Sequence, residues 1–233
     1  MDKSIETIGV KNKEEGARAA FELLKGIVNS ETAMFLSGGG SPRDLYRLIS
    51  QDKNRSVKPV AFCTVDERWV VAGSPDSNEQ MIASTGLYEY AAGADIEVHK
   101  ILGGILNRSE TALRYGVVLD GIFARIHNSV SIMGIGTDGH TAGIAPYVTL
   151  PLNKMVVGYL NDQKGWQFPE RITITAVALK RIDEHIILAF GEDKKDVLKR
   201  FVGQKNNARE FPAEVFKEID RRVYLITDQK VCN

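Results

Sequence analysis

The sequence predicts an α/β protein with a mostly parallel sheet and helices on both of its faces. Short apolar runs rich in branched and aromatic residues recur along the chain, and each is too short for a helix. Between these runs lie segments whose apolar residues recur at helical spacing. Strands that alternate with helices are joined by right-handed crossovers, so they form a parallel sheet covered on two sides.

Each element is predicted from its own pattern. Five continuous apolar runs predict buried strands: Thr32–Leu36, Val57–Val65, Val130–Ile135, His185–Phe190 and Val223–Thr227. Four segments with apolar residues three or four positions apart predict amphipathic helices: Glu14–Val28, Pro42–Ile49, Ser109–Ile126 and Asp193–Val202. We therefore expect a Rossmann-like sandwich that forms a single domain over residues 1–233. The stretch Tyr147–Gln167 is irregular, and we interpret it as an excursion over the site.

The composition excludes several classes of protein. Of the 233 residues, 43% are hydrophobic and 26% charged, and 30 basic residues balance 30 acidic ones, which offers no surface for nucleic acid or an anionic membrane. Cys63 and Cys232 are too few and too distant for a disulfide framework or a zinc site. No secretory segment or membrane span is recognisable. We expect a cytoplasmic protein without these partners; the oligomeric state is not indicated.

The loops that leave the strands form the candidate site, because ligands of such sheets bind beyond the carboxyl ends of the strands. The first loop offers a glycine-rich anion site: Gly38, Gly39, Gly40 and Ser41. We expect Ser41 to cap a helix that begins at Pro42, with Asp44 as a capping-box acid. Free amides at a helix N-terminus favour a phosphate. The alternative is a flexible turn with a good cap.

Charged residues follow three further strands. Asp66 and Arg68 come after the second strand, where a guanidinium could hold phosphate oxygens, although such a charged run is often a solvated edge. Lys194 lies in the first turn of a helix, which is unfavourable for the helix dipole and suggests a further role, although a solvated surface lysine would also explain it. Arg171 begins a strand-like segment, Pro169–Thr175, which a plain surface arginine would also explain.

A histidine stands on the glycine-rich loop after the central strand. The loop contains Gly134, Gly136 and Gly139, the spacing of a dinucleotide fingerprint, but Gly143 and Pro146 prevent the long helix that such a site needs. His140 and Asp138 remain as the candidate catalytic residues, since histidine is the side chain best suited to general base chemistry near neutrality.

The remaining chemistry-bearing residues are interpreted as structural. No cluster of histidine, cysteine and carboxylate residues has metal-ligand spacing, so we expect no metal and no cofactor. His99, His127 and His185 lie outside glycine-rich strand exits, and Trp69 and Trp166 are interpreted as packing residues.

Five segments together resemble the 6-phosphogluconolactonase family, which shares a superfamily with glucosamine-6-phosphate deaminase. In order, they are Ser-Gly-Gly-x-x-Pro-x-x-Leu-Tyr at 37–46, Asp-Glu-Arg-x-Val at 66–70 with Asp-Ser-Asn at 76–78, Gly-x-Gly-x-Asp-Gly-His-x-Ala at 134–142, Arg-Ile-Thr-x-Thr at 171–175 and Gly-x-x-Lys at 191–194. The resemblance implies lactone hydrolysis without a metal. It further implies that His140 is the general base and that Arg68, Lys194 and the glycine-loop amides bind a 6-phosphate, with Asp66 and Arg171 also near the substrate.

The sequence departs from the family at two places. Gly40-Ser41 stands where the family has Ser-Thr, and Gly143 to Tyr147 replaces Ser-Leu-Phe-Pro-Gly after the histidine. The deaminase relatives continue with Phe-Asn-Glu-Pro, and this chain has Ile144-Ala145-Pro146 with no acid. A deaminase or isomerase, and a non-catalytic sugar-phosphate-binding protein of the same fold, are the alternatives.

Overall fold

A seven-stranded parallel sheet forms the centre of this computed structural model, which describes residues 5–103, 107–162 and 166–231. Its strands are β1 (Glu6–Gly9), β2 (Thr32–Leu36), β3 (Ala61–Thr64), β5 (Glu97–His99), β6 (Asn128–Met133), β9 (Glu184–Ala189) and β10 (Arg222–Thr227). Their order is β1-β10-β9-β6-β2-β3-β5. Every pair is parallel, as the alternating pattern predicted.

Helices cover both faces of this sheet. One face holds α1 (Lys13–Ile27), α2 (Arg43–Gln51), α3 (Asn78–Ala83) and α4 (Leu87–Gly93). The other face holds α5 (Arg108–Arg125), α6 (Ala176–Leu179), α7 (Lys195–Gly203) and α8 (Val215–Glu218). Strand β2 shows the consequence: Met34 packs toward the first group and Phe35 toward the second, and both are fully buried. The predicted α/β sandwich is confirmed.

A second, antiparallel sheet was not predicted. It contains β4 (Asp66–Arg68), β8 (Glu170–Ile174) and β7 (Val156–Leu160), in the order β4-β8-β7. Strand β7 lies inside Tyr147–Gln167, so the expectation that this stretch is irregular is wrong for those five residues. The pairing places Arg68 directly opposite Arg171. Side chains of directly opposite residues lie on the same face of a sheet, so two distant arginines become neighbours.

Three boundary predictions need correction. The strand predicted at Val57–Val65 begins only at Ala61, because Pro59 lacks the amide that a ladder hydrogen bond requires. The second helix begins at Arg43 with Pro42 in the capping position, so Ser41 does not cap it. Asp44 pairs instead with Lys13 at 2.8 Å, so the predicted capping box is absent.

Lys194 lies immediately before the helix that was expected to contain it, in the N-cap position. A 3₁₀ turn, Glu192–Lys194, precedes α7, and Gly191 enters that turn with φ of 100°, a left-handed conformation that favours glycine. Lys194 thus caps the helix through its backbone and leaves its side chain directed away from the helix axis toward the sheet edge, where it lines a cavity.

His185 is a core residue, as expected. It is fully buried in β9, its Nδ1 lies 2.7 Å from Ser131 Oγ, and its ring packs against Phe216. Burial lowers the pKa of His185 to about 3. Cys63 is likewise buried with a free thiol, whereas Cys232 lies outside the described residues. No helix in the described part of the chain is long and apolar enough to cross a membrane.

Candidate active site

A polar cavity of about 270 Å³ lies at the carboxyl edge of the central strands. The chain leaves β2 toward β3 on one side of the sheet and leaves β6 toward β9 on the other, so the strand order reverses between β2 and β6. Such a reversal opens a crevice in which ligands of α/β sheets bind. Nine predicted site residues line this cavity: Gly38, Gly39, Gly40, Ser41, Asp66, Arg68, His140, Arg171 and Lys194.

Larger cavities exist elsewhere, so size does not locate the site. One of about 540 Å³ lies between α5 and β7 and has a largely apolar lining that includes Leu113, Val117 and Met155. Among the described residues that line it there is no histidine and no glycine-rich loop. The smaller cavity combines cations, a histidine and loop amides, which is the pattern of a functional site.

The tenth predicted residue, Asp138, is not among the residues that line the cavity but accepts hydrogen bonds from His140. Its Oδ1 accepts hydrogen bonds from the backbone amide of His140 at 3.0 Å and from His140 Nδ1 at 2.6 Å. A carboxylate can only accept, so Nδ1 carries the proton and Nε2 is left to accept one. Partial burial raises the pKa of Asp138, but the hydrogen bond and charge of His140 outweigh that effect, and the net shift is downward.

The loop backbone is shaped around this pair. Gly136 donates its amide to the carbonyl of His140 at 2.8 Å, which closes the loop. A Cβ at position 136 would lie 1.9 Å from His140 Nδ1, so only glycine leaves room for the ring. Gly139 has φ of 89° and packs on Phe211. Glycine is therefore required at both positions, for space at the first and for conformation and space at the second.

The glycine-rich loop after β2 presents its amides to the cavity. Gly39 has φ of 88°, which favours glycine. Within the described residues, no protein acceptor takes a hydrogen bond from the amides of Gly39, Gly40 or Ser41. Tyr46 donates its hydroxyl to the carbonyl of Ser37 at 2.8 Å and fixes the start of the loop. These amides can bind an anion in the manner expected of a helix N-terminus.

Three cations line the cavity. Arg68 donates from Nη1 to the carbonyl of Asp76 at 2.7 Å, and Arg171 Nη1 lies 3.4 Å from Asp66 Oδ2. Lys194 lies 4.0 Å from Asp193, and its side chain is 19% exposed. Of the carboxylates in the described chain, Asp66 alone lines this cavity, so the lining carries a net positive charge. Such a site favours a doubly charged phosphate.

A buried carboxylate network supports Arg68 and Asp66. Glu67 accepts hydrogen bonds from the amides of Asn78 and Glu79, each at 2.8 Å, and from the hydroxyl of Ser77. Asn78 in turn donates to the Asp66 carbonyl at 2.9 Å. Burial raises the pKa of both Asp66 and Glu67, while nearby cations oppose the shift at Asp66 and hydrogen bonds oppose it at Glu67. The network fixes β4 against the start of α3.

Sequence reasoning missed several residues here. Asn78 lines the cavity and lies so close to Gly38 that a Cβ there would be 2.1 Å from Asn78 Oδ1. Trp166, which was interpreted as a packing residue, packs at the site: its ring lies 5.2 Å from the His140 ring and 4.9 Å from the Arg171 guanidinium. The sequence offered one indication of this position: Trp166 lies within Tyr147–Gln167, the stretch that was expected to pass over the site.

One departure from the family has a structural reason. Gly143, which replaces a serine of the family, donates its amide to Thr173 Oγ1 at 2.9 Å. A Cβ at that position would lie 3.0 Å from Thr173 Cβ, tighter than ordinary contact. Tyr159 donates its hydroxyl to the Gly143 carbonyl. The missing serine hydroxyl is thus replaced by close packing of the loop on β8.

Metal chemistry has no evident ligand set. In the described ranges, no group of three or more histidine, cysteine and carboxylate side chains is arranged to hold a metal ion. Metal independence stays a prediction, as does the absence of a cofactor.

The fold and the site define an α/β protein with a cavity lined by cations and glycine-loop residues beside a histidine–aspartate pair, at the strand-order reversal. The chain belongs to the family described as glucosamine-6-phosphate isomerases/6-phosphogluconolactonase, whose model matches residues 13–225. The chain is 29% identical over 206 residues to the 6-phosphogluconolactonase of Neisseria meningitidis serogroup A, covering 84% of this chain and 85% of that protein.

Solved structures show the same fold. The 6-phosphogluconolactonase from Shewanella baltica superimposes with a TM-score of 0.82 at 18% identity, covering 98% of this chain and 99% of that one. The enzyme of that name from Leishmania guyanensis superimposes with a TM-score of 0.81 at 19% identity, covering 99% and 100%. The resemblance to this family that the five sequence segments indicated is confirmed.

Proposed function

We propose that the chain hydrolyses 6-phospho-D-glucono-1,5-lactone to 6-phosphogluconate, a step of the oxidative pentose phosphate pathway. The observation that carries the proposal is the His140–Asp138 pair at 2.6 Å, set in a cavity whose other walls are cations and free loop amides. The Neisseria and other curated relatives named 6-phosphogluconolactonase support the same reaction.

The chemistry needs one base that later becomes an acid. His140 Nε2 takes a proton from water as the water oxygen attacks the lactone carbonyl carbon, and an oxyanion forms on the carbonyl oxygen. When the oxyanion collapses, the bond from that carbon to the ring oxygen breaks, and the imidazolium returns its proton to the ring oxygen. Asp138 stabilises the imidazolium between these steps and holds the ring in one tautomer.

The anion site supplies orientation. In this proposal, Arg68, Lys194 and the amides of Gly39 and Gly40 hold the 6-phosphate, which places the lactone carbon beside the histidine. The neighbouring glycine-rich loops also present backbone amides that could stabilise the oxyanion. Asp66 and Arg171 complete the wall on the side of the sugar hydroxyls.

The isomerase reaction of the same family is less well supported. Ring opening of an amino sugar is assisted by an acid in the segment after the histidine, and this chain has Ala145 there, buried with its amide directed at Tyr159. The described lining offers Asp66 as its carboxylate, and that residue is paired with Arg171. We place the reaction in the cytoplasm, which the buried free thiol of Cys63 supports.

The test is turnover of 6-phosphogluconolactone above its spontaneous hydrolysis, measured by a coupled assay for 6-phosphogluconate. His140→Ala is expected to lower turnover by about 10²-fold or more. His127→Ala is the matched control, since His127 is exposed and outside the cavity. Wild-type turnover by folded His140→Ala, or release of ammonia from glucosamine-6-phosphate by the wild type, would contradict the proposal.

A further inference from the structure

Two arginines of the cavity lie side by side although their like charges repel each other. Arg68 and Arg171 are directly opposite on β4 and β8, and both line the cavity. Like charges at such positions destabilise a strand pair. Asp66 lies within 3.4 Å of Arg171, and its side chain is only 6% exposed, so one buried carboxylate faces two guanidinium groups. Something besides Asp66 must hold both groups in the cavity.

Two aromatic rings from one short segment meet these guanidinium groups. The ring of Phe168 lies 4.7 Å from Arg68 Cζ, and the ring of Trp166 lies 4.9 Å from Arg171 Cζ. Trp166 also meets the His140 ring, with centroids 5.2 Å apart and planes at 62°. An arginine within about 6 Å of a ring centroid is attracted by the electron-rich face of the ring.

Each ring contacts one arginine, and the two arginines belong to different ends of the site: the end with His140 and the end proposed to bind phosphate. Trp166 contacts both His140 and Arg171, so Arg171 is tied to the reacting end. Phe168 contacts Arg68, whose Nη1 is also held by the carbonyl of Asp76. That arginine belongs to the end that carries the phosphate in the proposed function.

We propose that Trp166 and Phe168 are positioning residues: Trp166 aligns the general base and Arg171 for the chemical step, and Phe168 holds Arg68 for phosphate binding. The inference rests on the proposed function and adds to it a separate role for each ring. Removing Trp166 therefore affects kcat, and removing Phe168 affects KM.

The experiment compares Trp166→Leu and Phe168→Leu with the ring-retaining variants Trp166→Phe and Phe168→Tyr. Trp166→Leu lowers kcat at least 10-fold with KM within about 3-fold of the wild type. Phe168→Leu raises KM for the phosphorylated lactone about 2- to 30-fold with little change in kcat, the range that the strength of such contacts implies. Each ring-retaining variant recovers most of the loss.

A matched control separates positioning from stability. Arg181 Cζ lies 4.4 Å from the centroid of the Phe123 ring, which is the same type of contact but lies outside the cavity. Phe123→Leu is expected to lower the unfolding temperature while kcat and KM stay at wild-type values. A merely structural role would lower the unfolding temperature and the folded fraction of the variant. In that case kcat per folded molecule, with the folded fraction measured by urea unfolding, would stay at the wild-type value in Trp166→Leu, and KM would stay at the wild-type value in Phe168→Leu.

Binding of 6-phosphogluconate, measured by calorimetry, keeps the inference separate from the proposed function. Absence of lactonase turnover in the wild type overturns the function and with it the role of Trp166 in the chemical step, and the dissociation constants then decide the role of Phe168. Unchanged affinity in Phe168→Leu overturns that role whatever the turnover. Wild-type kcat in folded Trp166→Leu overturns the role of Trp166 in an active enzyme.

Discussion

Adding one methyl group at Gly136 tests the role of the histidine–aspartate pair while both residues stay unsubstituted. The φ angle of Gly136 lies outside the left-handed region, so alanine strains no backbone there. Its Cβ would nevertheless lie 1.9 Å from His140 Nδ1 and 2.7 Å from Asp138 Oδ1. Ordinary contact begins at about 3.4 Å, so the imidazole must move by about 1.5 Å.

That displacement sets the size of the effect. A misplacement of about 1 Å at a reacting centre costs on the order of 10²-fold in rate. We therefore expect Gly136→Ala to lower kcat for 6-phosphogluconolactone by about 10²-fold, which corresponds to about 2.7 kcal/mol of activation free energy. KM should change little, because Arg68 lies in β4 and Lys194 in the turn before α7, both outside the loop that holds Gly136.

The assay is steady-state turnover, corrected for spontaneous hydrolysis, together with urea unfolding to show that the variant is folded. Gly121→Ala is the control, since a Cβ at that exposed position in α5 meets no atom within 4 Å. It should keep full activity. A kcat for folded Gly136→Ala within about 3-fold of the wild type would refute the assignment of the proton transfer to the His140–Asp138 pair.

Three further predictions concern the anion site, metals and pH. Arg68→Ala and Lys194→Ala should mainly raise KM for the phosphorylated lactone, and equal kcat/KM for phosphorylated and unphosphorylated gluconolactone would exclude the phosphate site. Exhaustive chelation should leave activity intact, and a loss of activity on chelation that a divalent ion restores would reveal a metal. Burial and the neighbouring Glu67 raise the pKa of Glu79 from 4.5 to about 7, so its ionisation destabilises the folded state. The free energy of unfolding of the wild type should therefore decline by up to about 3 kcal/mol between pH 4.5 and 7. Glu79→Gln should reduce that decline, as measured by urea unfolding at pH 5 and 8. An equal pH dependence of the two proteins would contradict the assignment of the decline to Glu79.

The central sheet could be predicted because its strands and helices are encoded locally. Thr32–Leu36 is continuous in apolar residues since β2 is buried on both faces, and the periodic apolar residues of α1 and α5 follow from packing on one side. The predicted starts of β3 and α2 were too early, because Pro59 lacks the amide that a ladder hydrogen bond requires and Pro42 occupies the capping position of the helix.

The sequence predicted nine of the residues that line the cavity, but not the contacts between them. Gly38, Arg68, His140 and Lys194 follow strands, and parallel strands bring their carboxyl ends to one edge, so sequence order alone placed them together. The short antiparallel sheet was not predictable, since the three residues of β4 are charged and carry no strand pattern.

What the sequence determined by itself is therefore the fold class, the edge that holds the site and the residue types that line it. Tertiary structure alone decided which side chains meet: Arg68 opposite Arg171, Trp166 on His140, and Asn78 against Gly38. The physical reason is the range of the interactions. Periodicity records burial of neighbours along one element, whereas pairing between strands and ring contacts across loops join residues far apart in sequence, such as Arg68 and Arg171, which no local pattern encodes.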